Sequence, residues 1–284
     1  MDAQVSGPGA NPVAFDIEMR LLLEAIFLRY HYDFRSYARA SLKRRLCAAL
    51  ARFGCETLSQ LQGRVLHEPA LFPALLDFLT VHVSDLFRDP SYFRALREKV
   101  VPVLRTWPSL KVWVAGCSAG EEAYSLAILL HEEGLLERSL IYATDINPRA
   151  MRRASAGVYD AQLVDGFADN HRRSGAPAAL SDYYTAAYGS VMFTRRLKKH
   201  IVFSDHSLAT DSVFAEVQLV SCRNVLIYFD RDLQERAVGL FRDALCRNGF
   251  LGIGARESLR FSGHARAFVP VSSGDRIYQM RQLQ

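Results

Sequence analysis

The sequence predicts a two-part protein: an all-helical N-terminal domain, then a parallel α/β domain carrying a small β-subdomain insertion. Three observations predict it. Residues 15–90 show apolar residues at helical spacing and no strand pattern. From Lys111 onward, short apolar runs alternate with helical stretches, the pattern of a parallel sheet with crossover helices. Between residues 160 and 202 that alternation breaks, and turn residues and tyrosines take over.

Along the chain, residues 1–14 read as a disordered lead, with neither the basic start nor the apolar run of a signal peptide. FDIEMRLLLEAIFLRYH, beginning at Phe15, is a first helix. The stretch Arg35–Phe53 is basic and free of acids. Leu42, Leu46, Ala49, Leu50 and Phe53 form its apolar stripe. Lys43, Arg44, Arg45 and Arg52 fall off that stripe and read either as a solvated face or as a docking surface for an acidic macromolecule. Residues 91–110, ending in TWPSL, are expected to link the helical domain to the α/β domain at 111–284. There KVWVAG, SLIYATD, EVQLVSC and GFLGIGA read as strands, and SLAILLHEEG and RDLQERAVGLFRDALC as helices. YGSVMFTRRLKKHIVF can hold a short hairpin inside the 160–202 insertion.

Half of the 284 residues are hydrophobic and 23% are charged, which excludes a wholly disordered or collagen-like chain. No apolar run is long enough to span a membrane. The five cysteines are widely spaced without CxxC, so a reduced, cytoplasmic protein is expected, and no metal site is expected from its cysteines and histidines. The formal net charge of +5 allows an acidic partner; nucleic acid is not expected.

In open α/β sheets, ligands bind beyond the carboxyl ends of the strands. Polar residues follow successive strands here: Gly116 to Glu122 after the first, Asp145 after the second, Ser204 to Ser207 after HIVF, and Arg223-Asn224 after EVQLVSC. The first turn is not GxGxxG. Glu121 and Glu122 open the next helix, where a dinucleotide's pyrophosphate would sit, and two carboxylates would repel it. A cationic ligand would be favoured. S-adenosylmethionine carries a sulfonium and an ammonium, so the pair argues for it over NAD. Asp145 reads as a ribose-binding acid or as part of a helix start, and Tyr228 as a core aromatic by default.

GCSAGEEAYS, ATDINPRAM, SCRNVLIYFD and LTVHVSDLFRD, in that company, resemble the CheR-type chemoreceptor glutamate O-methyltransferases, from about Phe15 to Arg281. The resemblance implies a Rossmann-like S-adenosylmethionine-dependent methyltransferase domain. It implies cofactor contacts at His82, Ser84, Arg88, Gly116, Glu122, Asp145, Ser207, Leu208, Arg223 and Asn224. His82 stands where the family has asparagine, Ser84 where it has threonine, and Ser207 where it has asparagine. Arg88 and Tyr228 would orient the reacting groups, which reverses the default reading of Tyr228. The family's GHSE segment reads Gly254-Ala255-Arg256-Glu257-Ser258 and has diverged. The implied reaction gives glutamate methyl esters on the cytoplasmic domain of chemoreceptors or similar signalling proteins and releases S-adenosylhomocysteine. Lys43, Arg44, Arg45 and Arg52 would dock the substrate. The short region around Tyr183 to Phe203 implies no receptor-tail tether. A monomer is expected. A non-catalytic S-adenosylmethionine-binding module and a methyltransferase with another substrate are the alternatives.

Overall fold

The computed structural model describes residues 12–81 and 83–281. They form two compact units. One runs to Val81 and takes in Tyr228–Leu233; the other holds the described residues up to Ile227 and from Gln234 onward.

The first unit is helical: Pro12–Tyr30, Arg39–Phe53, Leu58–His67 and Phe72–Leu79. The first helix begins at Pro12, three residues before the predicted start, because proline is tolerated where its missing N–H has no helical partner. Its Phe15, Met19, Leu22, Leu23 and Ile26 are buried at the spacing the sequence predicts for one helix face. Gly54 ends the basic helix at φ +63° and returns its N–H to the Leu50 carbonyl, a left-handed stop that glycine adopts without strain. The Thr57 hydroxyl accepts the Gln60 N–H and starts the next helix. Tyr30 stacks on Phe72 at 3.9 Å between centroids. Tyr228–Leu233 joins this unit through a short antiparallel bridge. The Ala38 N–H donates to the Tyr228 carbonyl at 2.8 Å, and the Asp230 N–H to the Ser36 carbonyl at 2.9 Å.

The second unit opens with helical segments over Pro90–Ala95, Leu96–Val100 and Val101–Leu104. The stretch expected as a linker is therefore mostly helix, and Tyr92, Phe93, Leu96, Val100, Val101 and Leu104 belong to this unit's core. Their burial outweighs the breaking tendency of Pro102, which sits in the tolerant first turn of its segment.

The main sheet holds β1 (Leu110–Ala115), β2 (Ser139–Asp145), β6 (Ile201–Asp205), β7 (Val217–Cys222), β8 (Leu245–Ile253), β9 (Phe268–Ser272) and β10 (Ile277–Met280). Their order is β6-β2-β1-β7-β8-β10-β9; the first five run parallel, and β10 and β9 close the edge antiparallel. β1 is the middle one of the five parallel strands and reads almost wholly buried, as a strand covered on both faces should. The late strands β9 and β10 are absent from the sequence reading. Their short runs, FVPVS and IYQM, carry a proline and a glutamine that hide the apolar signal.

The β-subdomain is a three-stranded sheet in the order β3-β5-β4, from Val158–Asp160, Ser190–Phe193 and Tyr184–Ala187. Its hairpin turns at Tyr188-Gly189, both at positive φ, the two-residue turn that matches strand twist. The helix Val164–Arg173 lies between β3 and β4 in the chain. It is fixed to the rest of the unit through Glu132, whose carboxylate meets His171 at 2.8 Å, Tyr183 at 3.3 Å and the Arg97 guanidinium.

Candidate functional site

Strand order reverses between β1 and β7, so the loops after these two strands face one another at a topological switch point. The loop after β1 runs Gly116 to Gly120 before the helix Glu121–Glu132. A Cβ on Gly116, at φ +73°, would lie 2.4 Å from Val225 Cγ2, so only glycine lets the two loops meet. Its N–H and that of Cys117 both reach the Thr144 carbonyl at the end of β2.

Asp145 stands at the tip of β2, half-buried. Its Oδ2 accepts the Ser118 N–H at 2.9 Å and its Oδ1 the Asn147 N–H at 3.0 Å. Two backbone donors thus aim the carboxylate from opposite sides.

Glu122 sits one residue into the helix. Its Oε1 accepts the Ser221 hydroxyl at 2.6 Å and its Oε2 the Arg223 guanidinium at 3.2 Å. Ser221 also meets the Tyr92 hydroxyl at 2.8 Å. Arg223, with 1% of its side chain exposed, donates to the Arg88 carbonyl at 2.8 Å and to Asp89 at 2.7 Å, over the Tyr92 ring. Burial and the neighbouring Glu122 push the Tyr92 hydroxyl far above its ordinary range, so it stays protonated. This buried relay joins the loop before Pro90 to the ends of β1 and β7.

Glu121 is buried and its Oε2 has no partner; burial pushes its carboxyl up. The Ser118 hydroxyl, three residues earlier in the chain, is likewise buried without a partner. Burial also pushes the Cys117 thiol up. Orphaned polar atoms in the loop after β1, with the carboxylates of Glu122 and Asp145 within electrostatic reach of Cys117 in that loop, suit a ligand that brings hydroxyls and positive charge.

The Arg223-Asn224 loop is closed from behind by Glu257. Its carboxylate accepts the N–H groups of Asn224 at 3.1 Å, Ile227 at 3.3 Å and Gly254 at 2.5 Å. Asn224 takes φ +61° in this turn. The segment judged divergent by sequence therefore keeps a structural carboxylate.

Of the other expected cofactor residues, Arg88 donates to the Val83 carbonyl at 3.2 Å, and Ser84 bears on the Glu121 carboxyl. Phe87 and Asp89, on either side of Arg88, both hold positive φ. Ser207 donates its N–H to Asp211 at 2.9 Å, and Leu208 is buried. Ser204 and Asp205 belong to β6 rather than to the loop after it. His82 lies outside the described residues. Tyr228 falls in the first unit. Sequence reasoning missed Ser221, Tyr92 and Asp89 as parts of the relay, and Glu257 as the carboxylate that holds the Asn224 loop. Ser221 lies inside the quoted motif and could have been found there; Tyr92 carries no local signal.

The basic helix departs from expectation at one position. Lys43, Arg44 and Arg52 are exposed, but Arg45 is 8% exposed. Leu42, Arg45, Leu46 and Ala49 form the buried face, so Arg45 lies on the stripe and not beside the other three. Its guanidinium donates to the Leu79 carbonyl and lies 4.7 Å over the Tyr228 ring.

The family model "CheR methyltransferase, SAM binding domain" matches residues 82–275, and "CheR methyltransferase, all-alpha domain" matches residues 17–80. The Pseudomonas putida protein that carries the name Cher3 is 57% identical over 93% of this chain and 97% of its own length. A chemotaxis protein methyltransferase of Listeria innocua is 31% identical over 80% of this chain and 84% of its own. Among solved structures, the N-methyltransferase NodS of Bradyrhizobium japonicum, in complex with S-adenosylhomocysteine, has 15% identity over 70% of this chain and 90% of its own, with a TM-score of 0.39. No described helix is long and apolar enough to cross a membrane. With both family models matched in order across the two units, the chain belongs to the CheR methyltransferases and its cofactor is S-adenosylmethionine.

Proposed function

We propose that the chain transfers a methyl group from S-adenosylmethionine to glutamate carboxylates on the cytoplasmic domain of chemoreceptors, giving methyl esters. The observation that carries this reading is kinship over most of both lengths with proteins named chemotaxis protein methyltransferase. S-adenosylmethionine supplies an electrophilic methyl on sulfur. An acceptor carboxylate oxygen bonds to that methyl while the carbon–sulfur bond breaks, and the electron pair stays on sulfur as S-adenosylhomocysteine. A glutamate is already ionised at neutral pH, its ordinary pKa being about 4.3, so the step calls for no general base. What the chain must supply is position and exclusion of water.

In this reading Asp145 takes the ribose hydroxyls and Glu122, held by Ser221 and Arg223, faces the cationic methionine end. Gly116, Asn224, Ser207 and Leu208 shape the crevice; Ser84 and Arg88 meet the cofactor from the preceding loop. Tyr228 orients the reacting groups. Lys43, Arg44 and Arg52 dock the acidic receptor. The hairpin strands of the β-subdomain are four residues each, which favours docking without a receptor-tail tether. We read the protein as a cytoplasmic monomer.

The test is peptide mapping of a receptor cytoplasmic fragment after incubation with enzyme and cofactor, with and without the receptor's last residues. Glutamate esters on both fragments are expected. Methyl on another side chain would refute the substrate class, and esters only on the tailed fragment would refute untethered docking.

A further inference from the structure

We propose that Arg45 is a positioning residue for Tyr228 and not part of the docking surface. This rests on the reading that Tyr228 orients the reacting groups. Arg45 lies between exposed Arg44 and buried Leu46, on the face of its helix turned inward. Its guanidinium carbon is 4.7 Å from the centroid of the Tyr228 ring, and its Nη1 donates to the Leu79 carbonyl at the end of the helix Phe72–Leu79. Its Nη2 is buried with no partner. Burying a cation is costly, and among the described residues no carboxylate bonds to it. The π face and a helix-end carbonyl offset that cost, both of them attractive to a cation. A planar guanidinium can cover a ring and donate in its own plane at once, which an ammonium cannot.

The backbone of Tyr228 is held from the same side. Ala38, the residue before this helix, donates to the Tyr228 carbonyl at 2.8 Å, and Tyr37 packs edge-on against Phe229 at 5.0 Å. Backbone bridge and guanidinium together hold the main chain and one ring face of the tyrosine. The helix that presents Lys43 and Arg44 outward therefore also sets where the Tyr228 hydroxyl stands.

The experiment compares kcat, KM for a receptor cytoplasmic fragment, S-adenosylhomocysteine affinity and melting temperature. The variants are Arg45→Met, Arg45→Lys, Tyr228→Phe and Arg45→Met with Tyr228→Phe. Losing a desolvated cation–π contact should lower kcat about tenfold in Arg45→Met, leaving KM and cofactor affinity within about twofold. Arg45→Lys should recover part of kcat. In the double variant Arg45→Met should cost nothing beyond Tyr228→Phe, because the hydroxyl it places is gone. A raised KM at unchanged kcat, fading with salt, would return Arg45 to docking and overturn the proposal. Independent, multiplicative losses would overturn it too. If Arg45→Met does not fold, Arg45→Lys alone and with Tyr228→Phe makes the same comparison. Full activity in Tyr228→Phe would remove the role of Tyr228 itself, seen without any Arg45 variant, and this proposal with it.

Discussion

Glu257 accepts the backbone N–H of Asn224 at 3.1 Å across 33 residues of chain. With Ile227 and Gly254 on the same carboxylate, one buried side chain holds the loop that carries Arg223 and Asn224. Glu257→Gln keeps the size but turns one acceptor oxygen into a donor that faces N–H groups. Leaving buried donors unpaired costs about 1–3 kcal/mol. Thermal unfolding should show that loss, and calorimetry a weaker hold on S-adenosylhomocysteine. An unchanged melting temperature and affinity would mean that the loop is set by other contacts.

Asp145→Ala should weaken S-adenosylhomocysteine binding by about 1–3 kcal/mol, the scale for hydrogen bonds to a charged group. Asp145→Asn should lose less, since one oxygen still accepts. Calorimetry on the purified protein decides it. NAD should not bind, and tighter binding of NAD than of S-adenosylhomocysteine would contradict the electrostatic reading of Glu122 and Asp145.

Reversing Lys43, Arg44 and Arg52 to glutamate should lower kcat/KM for the receptor at low ionic strength. The difference should shrink as salt is raised, because exposed charges steer encounter and are screened beyond about 8–10 Å at ordinary ionic strength. Cofactor affinity should not move. A salt-independent loss would place these residues outside docking.

Burial pushes the Glu132 carboxyl up, but its bonds to His171 and Arg97 outweigh that and hold its pKa below the ordinary carboxylate range. A lowered carboxylate pKa contributes stability that is fully present above the unfolded value and is lost as pH falls through the folded one. Wild type should therefore lose its advantage over Glu132→Gln below about pH 4.5 and hold it near neutrality. Urea midpoints of the two proteins across that range check the sign. A constant difference down to about pH 3 would mean that the network does not titrate with Glu132.

The fold was legible wherever burial was periodic. β1, β2 and β7 are short, mostly apolar and mostly buried runs, and the first helix carries a regular buried face. Helical character was legible up to about residue 105, but the boundary was not: Pro90 and Pro102 suggested a linker over 91–110, whereas both sit in the first turn of a helical segment. Arg45 shows the same limit in a side chain. Its type argues for solvent, and only the three-dimensional neighbours Leu79 and Tyr228 account for its burial. In the site, Gly116, Glu122, Asp145 and Arg223 stood out because they follow strands. Tyr92, Asp89 and Glu257 act across 33 residues or more of chain, a separation that no local pattern records.

The central claim is that the acceptor is a carboxylate. A receptor cytoplasmic fragment incubated with the protein and S-adenosylmethionine labelled in its methyl group measures it directly. After precipitation and mild alkali, the label bound to the receptor should be released as volatile methanol, since base cleaves methyl esters and leaves N- and S-methyl groups intact. Label that remains on the protein through alkali would contradict the account.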